Sequence, residues 1–302
     1  MREILIIRLG ALGDFVLSFP AFAAIRAAYP RARITLLTTA PFEAIAKAAP
    51  WFDEVRIDTR PAWWNLPGVW KTARALRGFD FVFDLQTSSR SSRYFLLAGR
   101  PGWSGIAPGC SNPHANPARN KMHTIERQID QLRMAGIRIF PPPERAWLSA
   151  LGSRHDVAQP YALLVPGAAK DQRKRWPVER FGQLAVELAE QGMTPVIIGG
   201  PAERRAGGVI SARCPTAVDL TGKTSIADLA ALGEGAAVAV GGDTGPLHVI
   251  ASMGAPTLAL FSAAGVPAQA APRGPMGAFA KVIQVPALDT LPVGRVLEAL
   301  PK

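Results

Sequence analysis

The 302-residue chain is poor in the residue types on which several common sites depend. Its two cysteines, Cys110 and Cys214, match no metal or redox spacing, so we expect two reduced thiols. No GxxxxGKS/T loop is present, which excludes the P-loop nucleotide site. Without an Asp-x-Asp pair or clustered His and Cys residues, the sequence indicates no metal site.

Acidic residues are also few, 23 against 34 lysines and arginines, which gives a net charge of +11. This balance favours an anionic partner, whether nucleic acid, a phosphorylated substrate or an acidic membrane face. Hydrophobic residues make up 48% of the chain and charged residues 19%, which predicts a folded protein with buried cores. The length favours two domains of about 150 residues each.

Uninterrupted membrane-spanning runs are missing as well. The uncharged stretch 249–272 is long enough to cross a bilayer, but Gly254, Pro256, Gly265 and Pro267 divide it into a helix end, a strand and a loop. The apolar N-terminal stretch is interrupted by Arg8 and Asp14 and is followed by no small-residue cleavage site. We therefore expect neither a signal peptide nor a transmembrane segment.

Short apolar β-rich runs alternate with helical runs along both halves of the chain. Strands that are apolar on both faces and are separated by helices indicate parallel sheets covered on both sides. The predicted strands are 3–9, 33–39, 54–58 and 79–86 in the first half and 161–167, 194–200, 236–242, 256–261 and 280–285 in the second. The predicted helices are 14–30, 41–49, 69–78, 123–136, 177–192, 202–213, 225–235 and 245–254, and residues 104–122 are predicted to form an extended loop.

Three consecutive prolines mark residues 140–147 as a linker, because they cannot continue a helix. The sequence therefore predicts two doubly wound α/β domains, residues 1–140 and 141–302. Ligands of such domains bind at the carboxyl ends of the strands, which we expect to line a cleft between the two sheets.

The stretch RLGALGD at residues 8–14 lies at such a strand end. Its glycines allow a close approach to the backbone, but Asp14 at the helix start would repel a bound phosphate. Either Asp14 is only a helix cap, or this loop handles something other than phosphates. The stretch is not a GxGxxG motif, and no acid follows about twenty residues on, which argues against a NAD dehydrogenase.

Two loops of the second half place charge at strand ends. Residues 166–176 carry four basic residues before a Trp-Pro pair opens a helix, so they form either a solvated basic face or an anion site. Glu203 follows a glycine pair and a proline. Its carboxylate is either a ligand of ribose hydroxyls or an ordinary charge at a helix start.

A third loop, at residues 243–246, reads DTGP. Asp243 and Thr244 are good caps for the helix that opens at Gly245, and capping alone could explain them. The glycine-rich helix start would also receive a pyrophosphate. His248 lies one turn into this helix, where a lone histidine is by default a core or surface residue.

Taken in order, six segments within residues 4–261 resemble glycosyltransferase family 9, the ADP-heptose:lipopolysaccharide heptosyltransferases. They are ILIIRLGALGDFVLSFPAFAAIRAAYP, DLQTSSRS, LLVPGAAKDQRKRWPVERFGQLAVEL, VIIGGPAE, VDLTGKTSIADLAAL and GGDTGPLHVIASMGAPTLALF. The resemblance implies a GT-B fold of two Rossmann-like domains facing across a cleft, the first binding the acceptor and the second the nucleotide sugar. It also implies inverting transfer of heptose from ADP-heptose to a lipopolysaccharide core or lipid A-linked acceptor, without a metal ion or other cofactor.

The resemblance assigns roles to single residues. Asp14 is similar to the catalytic base that accepts the proton of the acceptor hydroxyl. Lys174 is similar to the lysine that offsets the charge on the departing diphosphate. The other implied residues are Glu203 at the ribose, Asp243, Thr244, Gly245 and His248 at the donor, and Gly10, Gly13, Gln86 and Arg90 at the acceptor.

The partners implied are an ADP-sugar and an anionic lipid-linked saccharide, for a cytoplasmic protein in peripheral contact with the inner membrane and without nucleic acid. Two departures from the family pattern bear on the donor: Ser262-Ala263-Ala264 stand where Gly-Pro-Thr is common, and Gly167-Ala168-Ala169 lacks a hydroxyl. One alternative is another nucleotide sugar with another glycan acceptor. The other is a basic nucleic-acid-binding protein, although no aromatic RNA-binding pattern or helix-turn-helix signature is present.

Overall fold

The computed structural model describes residues 1–153, 155–167, 172–278 and 280–301. The chain divides into two compact units, Met1–Glu144 and Arg145–Lys302, and the division falls inside the proline-rich segment 140–147. Within the described residues each unit has one six-stranded sheet, and all its strand pairs are parallel. Parallel neighbours require crossover connections, which helices supply in both units.

The strands of the first unit are β1 (Glu3–Ile7), β2 (Arg33–Thr38), β3 (Glu54–Ile57), β4 (Phe81–Asp84), β5 (Gly102–Gly105) and β6 (Asn112–Pro113). Its helices are α1 (Leu12–Val16), α2 (Phe19–Ala28), α3 (Glu43–Ala48), α4 (Leu66–Ala75), α5 (Ser89–Leu97) and α6 (Thr124–Met134). The sheet order is β3-β2-β1-β4-β5-β6. Residues 4–7 of the central strand β1 are fully buried, as an apolar strand covered by helices on both faces should be.

The strands of the second unit are β7 (Tyr161–Val165), β8 (Thr194–Ile197), β9 (Val218–Asp219), β10 (Val238–Gly242), β11 (Thr257–Ser262) and β12 (Lys281–Val285). Its helices are α7 (Ala146–Ala150), α8 (Val178–Glu190), α9 (Arg204–Arg213), α10 (Ile226–Gly235), α11 (Gly245–Ser252), α12 (Pro267–Ala270) and α13 (Val293–Glu298). The sheet order is β12-β11-β10-β7-β8-β9.

Numbered within each unit, both sheets have the strand order 3-2-1-4-5-6 of the doubly wound fold. The two Rossmann-like domains predicted from the sequence are therefore confirmed. The direction of winding reverses between β1 and β4 in the first unit and between β7 and β10 in the second. At such a switch point the loops leave toward opposite faces of the sheet, and a crevice opens at the carboxyl ends of the strands.

The predicted helix 14–30 is wrong as a single element, because the structure divides it into α1 and α2. Pro20 has no N–H with which to continue the ladder from α1, and it takes an early position of α2, where that N–H is not needed. Ser18, the N-cap residue of α2, donates its hydroxyl to the Asp14 carbonyl at 2.7 Å. The break makes α1 a separate short helix that carries Asp14.

The predicted extended loop 104–122 is also partly wrong, since β6 pairs with β5 there and a 3-10 turn covers Arg119–Lys121. The sequence did not show β5, β9, α5, α7, α12 or α13. The two strands are too short for a periodic pattern, and α5 begins with a polar SRSS run. Residues 249–272 contain the end of α11, then β11 and α12, and none of the helices described has the length and apolar character needed to cross a membrane.

Candidate active site

The residues singled out from the sequence lie just past the carboxyl ends of strands around the two switch points. Asp14 follows β1, and Gln86 follows β4. In the second unit Lys174 follows β7, Glu203 follows its sheet neighbour β8, and residues 243–248 follow β10. These are the positions at which doubly wound sheets hold their ligands.

Asp14 lies in the first turn of α1, and its side chain is 41% exposed. Its Oδ1 is 3.0 Å from Nη2 of Arg8, whose side chain is only 3% exposed. The Ala11 N–H donates to Oδ2 over 3.4 Å, so the helix-capping contact is the weaker of the two. Asp14 is therefore an accessible carboxylate that a buried cation holds in place, which is more than a helix cap.

Arg8 also belongs to this site, although the sequence analysis did not single it out. A charged residue directly after a buried strand could have indicated it. Its Nη1 donates to the Leu85 carbonyl at 2.6 Å, which ties the end of β1 to the end of β4. Burial lowers the pKa of the Arg8 guanidinium, and the Asp14 and Asp84 carboxylates oppose that shift. Such partners are needed to offset the cost of burying a charged guanidinium.

The glycine loop between β1 and α1 is shaped by contacts within its own unit. Gly10 has φ +122°, and a Cβ at this position would lie 3.0 Å from the Phe42 ring. Oε1 of Gln86 accepts the Leu9 N–H at 2.8 Å and so holds the loop against the end of β4. Gly13 is buried in the first turn of α1. Gly10 and Gln86 thus have a structural role besides the acceptor contact predicted for them.

Arg90, on α5, also makes contacts inside its unit. Its Nη1 donates to the Pro61 carbonyl at 3.1 Å, and its guanidinium lies 4.9 Å from the centre of the Trp63 ring. The side chain is half-buried between these two groups. If Arg90 contacts the acceptor as predicted, its guanidinium must do so while it also contacts Pro61 and Trp63.

Asp84, at the end of β4, is a buried carboxyl group that the sequence did not single out. Its Oδ1 accepts the N–H groups of Gln86 at 3.1 Å and Thr87 at 2.9 Å. Burial raises the pKa of Asp84 to about 6, although these hydrogen bonds and the charge of Arg8 act in the opposite direction. Asp84 orders the loop that carries Gln86.

Lys174, Asp243 and His248 form one charged cluster in the second unit. Nζ of Lys174 is 3.5 Å from Oδ2 of Asp243, and Nε2 of His248 is 3.5 Å from Oδ1. Burial acts to raise the pKa of Asp243, but the hydrogen bond to His248 and the charges of His248 and Lys174 outweigh it, so the pKa lies below its ordinary value. His248 is buried, as a core histidine would be, yet it belongs to this cluster.

Capping does not account for Thr244. It is the N-cap residue of α11, but its hydroxyl makes no capping bond, and Oγ1 is buried without a hydrogen-bond partner among the residues described. Asp243 pairs with Lys174 rather than with the helix. The first turn of α11, which begins Gly245-Pro246, is left without a side-chain cap. Uncapped amides beside a buried hydroxyl form a set of donors suited to an anion.

Glu203 packs across the carboxyl ends of β7 and β8. Its Oε2 accepts the Gly200 N–H at 2.9 Å, and a Cβ on Gly167 would lie 3.1 Å from Cγ of Glu203. A Cβ on Gly242 would lie 3.3 Å from the Lys174 carbonyl oxygen. The glycines that end these strands therefore make room for the neighbouring loops, and the loops after β7, β8 and β10 meet at one place.

The departure Ser262-Ala263-Ala264 lines a cavity of about 420 Å³ at the carboxyl ends of β11 and β12. Arg173, Arg175 and residues 286–289 complete its lining. Because these arginines flank Lys174 in the chain, one loop supplies cations to both the charged cluster and the cavity. The other departure, at Ala168 and Ala169, lies outside the described residues.

Known proteins share this fold and sequence pattern. The family model described as glycosyltransferase family 9 (heptosyltransferase) matches residues 69–283. Lipopolysaccharide core heptosyltransferase OpsX of Haemophilus influenzae is 22% identical over 278 residues, which cover 86% of this chain and 79% of that protein. Lipopolysaccharide heptosyltransferase 3 of Escherichia coli K12 is 25% identical over 291 residues, covering 83% and 80%.

Solved structures agree on the fold. A family 9 glycosyltransferase from Veillonella parvula superimposes with a TM-score of 0.81 at 22% identity, over 99% of this chain and 95% of that chain. The E. coli heptosyltransferase WaaC with ADP superimposes with a TM-score of 0.76 at 20% identity, over 99% and 98%.

The two doubly wound domains have the GT-B fold of the solved glycosyltransferase structures. The match to the family model covers most of the chain, and the chain belongs to glycosyltransferase family 9. It is a heptosyltransferase-like enzyme. The family, the fold and the enzyme class inferred from the sequence are confirmed.

Replacing Asp84 by Asn is expected to remove one pH dependence of stability. The folded-state pKa of about 6 lies above the ordinary value of 3.8, so the folded chain keeps a proton that the unfolded chain has released between these pH values. The free energy of unfolding of the wild type should therefore fall, relative to Asp84→Asn, by up to about 3 kcal/mol as the pH rises through that window. Urea unfolding followed by tryptophan fluorescence measures the difference. Wild-type and variant curves that stay parallel across the window would contradict it.

Proposed function

We propose that this chain transfers heptose from ADP-heptose to a lipopolysaccharide core or lipid A-linked acceptor, with inversion and without a metal ion. The observation that carries the proposal is the cluster of Lys174, Asp243 and His248 beside the uncapped start of α11. The diphosphate of a nucleotide would accept hydrogen bonds from the amide and ammonium groups at such a switch point. The heptosyltransferases among the relatives, and the ADP bound to WaaC, support this donor.

Lys174 and the start of α11 would share the diphosphate. A helix N-terminus carries roughly half a positive charge together with unpaired amide donors, and the lysine adds a full charge. Its contact with Asp243 is long, at 3.5 Å, so the ammonium group can turn to a phosphate oxygen without losing a short hydrogen bond. The buried hydroxyl of Thr244 would gain the partner that it lacks among the described residues.

Asp243 would act as a positioning residue. Its lowered pKa keeps it ionised at neutral pH, so it would repel a phosphate that approached it directly. It instead holds Lys174 on one oxygen and His248 on the other. The carboxylate thereby orders the loop that leads into α11.

Glu203 would bind the ribose hydroxyls of the donor. One of its oxygens, Oε2, accepts the Gly200 N–H, and the other lies over Gly167. A carboxylate in this position beside the first strands of a doubly wound sheet is a typical ribose ligand. The two glycines would let the sugar approach the backbone closely.

Asp14 would accept the proton of the attacking hydroxyl. The acceptor oxygen attacks the anomeric carbon, the bond from that carbon to the diphosphate oxygen breaks, and ADP departs with the electron pair. A single displacement inverts the anomeric configuration. Arg8 fixes the carboxylate on its buried side while the rest of the group stays accessible. Around it Gly10, Gly13, Gln86 and Arg90 would contact the acceptor.

The net charge supports the proposed acceptor and place of action. A net charge of +11 suits a saccharide that carries phosphates and carboxylates. A lipid-linked acceptor of this kind would be met at the cytoplasmic face of the inner membrane by a peripheral protein.

Replacing Asp14 by Asn is expected to lower turnover by about 10²- to 10⁴-fold, because the amide cannot take the proton. ADP affinity should be unchanged. Rates of transfer from ADP-heptose and calorimetric titration with ADP measure the two quantities. The matched control is Glu43→Gln, which changes a carboxylate of the same unit that pairs with Lys47. Near-normal turnover of Asp14→Asn would return Asp14 to the role of a helix cap.

Replacing Lys174 by Ala is expected to weaken ADP binding by about 10- to 100-fold, the usual worth of a hydrogen bond to a charged group. Arg173→Ala and Arg175→Ala are matched controls on the same loop and should lose less, since those side chains line the neighbouring cavity. Titration of the three variants with ADP makes the comparison. Equal losses at all three positions would indicate a diffuse basic surface instead of a site.

Transfer is expected to persist in excess EDTA when the donor is supplied free of metal, because Lys174 and the start of α11 offset the charge of the leaving diphosphate. No group of three or more His, Cys, Asp or Glu side chains within the described ranges is placed to hold a metal ion. Asp243→Ala should weaken ADP binding through loss of loop order. Activity that EDTA abolishes and magnesium or manganese restores would contradict both the metal-free reaction and this role of Asp243.

A further inference from the structure

The outward side of α4 exposes large apolar side chains, whereas a surface helix normally exposes polar ones. Trp64, directly before the helix, is 85% exposed, and Leu66 and Trp70 are 72% and 62% exposed. Leu66 and Trp70 are four residues apart and so lie on the same side of α4. The opposite side already packs inward, since Thr72 and Leu76 are buried. Folding therefore does not explain the exposed side chains.

The loop that carries Trp64 is firmly attached to its surroundings. A Cβ on Gly68 would lie 2.7 Å from Cβ of Pro61, so the loop and the first turn of α4 are in close contact. Asn65 caps the helix by accepting the Gly68 N–H at 3.1 Å, and Arg90 of α5 donates to the Pro61 carbonyl. The exposed tryptophans thus project from an ordered part of the fold.

The charged residues of α4, α5 and the segments that flank them are all positive. No acidic residue occurs in residues 59–79 or 85–102, which include α4 and α5. The Arg74 guanidinium lies 4.9 Å from the centre of the Trp70 ring, and that of Arg93 lies 5.1 Å from the Trp63 ring. Cations therefore lie against aromatic rings both on α4 and at the loop before it. The α4 surface consists of the exposed residues Trp64, Leu66, Trp70, Lys71, Arg74, Arg77 and Arg93.

We propose that the α4 surface docks this protein on a bilayer of anionic phospholipids. Tryptophan suits the boundary between acyl chains and headgroups, because its ring is apolar and its N–H finds a polar partner there. Lysine and arginine strengthen binding to an anionic membrane face. The choice of a membrane rests in part on the proposed function, since a lipid-linked acceptor is reached there.

A bilayer fits this surface better than a second protein does. Lys71 directly follows Trp70, and Arg74 covers its ring, so a dry protein interface over Trp70 would bury both cations. The cores of protein interfaces are depleted in lysine for this reason. At a membrane the long basic side chains extend to the headgroups while the apolar side chains enter the acyl region.

Flotation of the full chain with vesicles tests the proposal, with neither donor nor acceptor present, so the result does not depend on heptosyl transfer. Vesicles of phosphatidylcholine with phosphatidylglycerol should bind the wild type, and phosphatidylcholine alone should bind it weakly. The double variant Trp64→Ser/Trp70→Ser should lose at least about 10-fold in partition coefficient, and Lys71→Glu/Arg74→Glu should lose a similar factor. Brominated phospholipid should quench tryptophan fluorescence of the wild type more than that of the serine variant.

Two variants serve as matched controls and should bind like the wild type. Ile139→Ser/Leu151→Ser removes apolar side chains that are 61% and 51% exposed elsewhere. Arg205→Glu/Arg295→Glu makes the same change of net charge at exposed arginines of the second unit.

Several results would overturn the proposal. One is a wild type that does not bind anionic vesicles or whose fluorescence brominated lipid does not quench. Another is an equal loss in the α4-surface variants and the controls, which would indicate unspecific attraction by the net charge. A dimer that the serine variant converts to a monomer would assign the α4 surface to a second copy of the chain. Circular dichroism melting confirms that each variant is folded.

Discussion

The reversal of winding in the two parallel sheets determines where this enzyme can hold its substrates. At β1 and β4, and again at β7 and β10, consecutive connections leave the sheet toward opposite faces, so the loops that follow these strands separate. Backbone amides and helix starts are left accessible there by the topology itself. The chemistry of each domain then depends on a few side chains in short loops, and the buried cores serve to hold those loops in place.

The two switch points carry opposite arrangements of charge. In the first domain an exposed carboxylate, Asp14, is held by a buried guanidinium, whereas in the second the ammonium group of Lys174 is held by Asp243. The first arrangement repels phosphates and suits a proton acceptor, and the second attracts them. Under the proposed function this division would resolve the conflict between the glycines and the acid of RLGALGD, because the second domain would hold the phosphates of the donor. A separate basic region, on α4, would bring the chain to the membrane that holds its acceptor.

The sequence predicted what depends on local pattern and missed what depends on distant contacts. Buried strands such as β1 and β10 are apolar runs and were found, whereas β5 and β9 exist because a neighbouring strand edge pairs with them. The loops of the site were found because they follow predicted strands. Arg8 was missed because its partner, the Leu85 carbonyl, lies 77 residues away. The sequence suggested that the Thr244 side chain caps α11, but it does not, because residue type does not determine where a hydroxyl points.

The central claim is that the second domain alone holds the donor diphosphate, and a crystal structure of this chain with ADP tests it most directly. We expect the diphosphate within hydrogen-bond distance of Lys174 Nζ and Thr244 Oγ1 at the start of α11, with the ribose hydroxyls on Glu203. ADP bound instead on the glycine loop of residues 8–14, beside Asp14, would contradict the account.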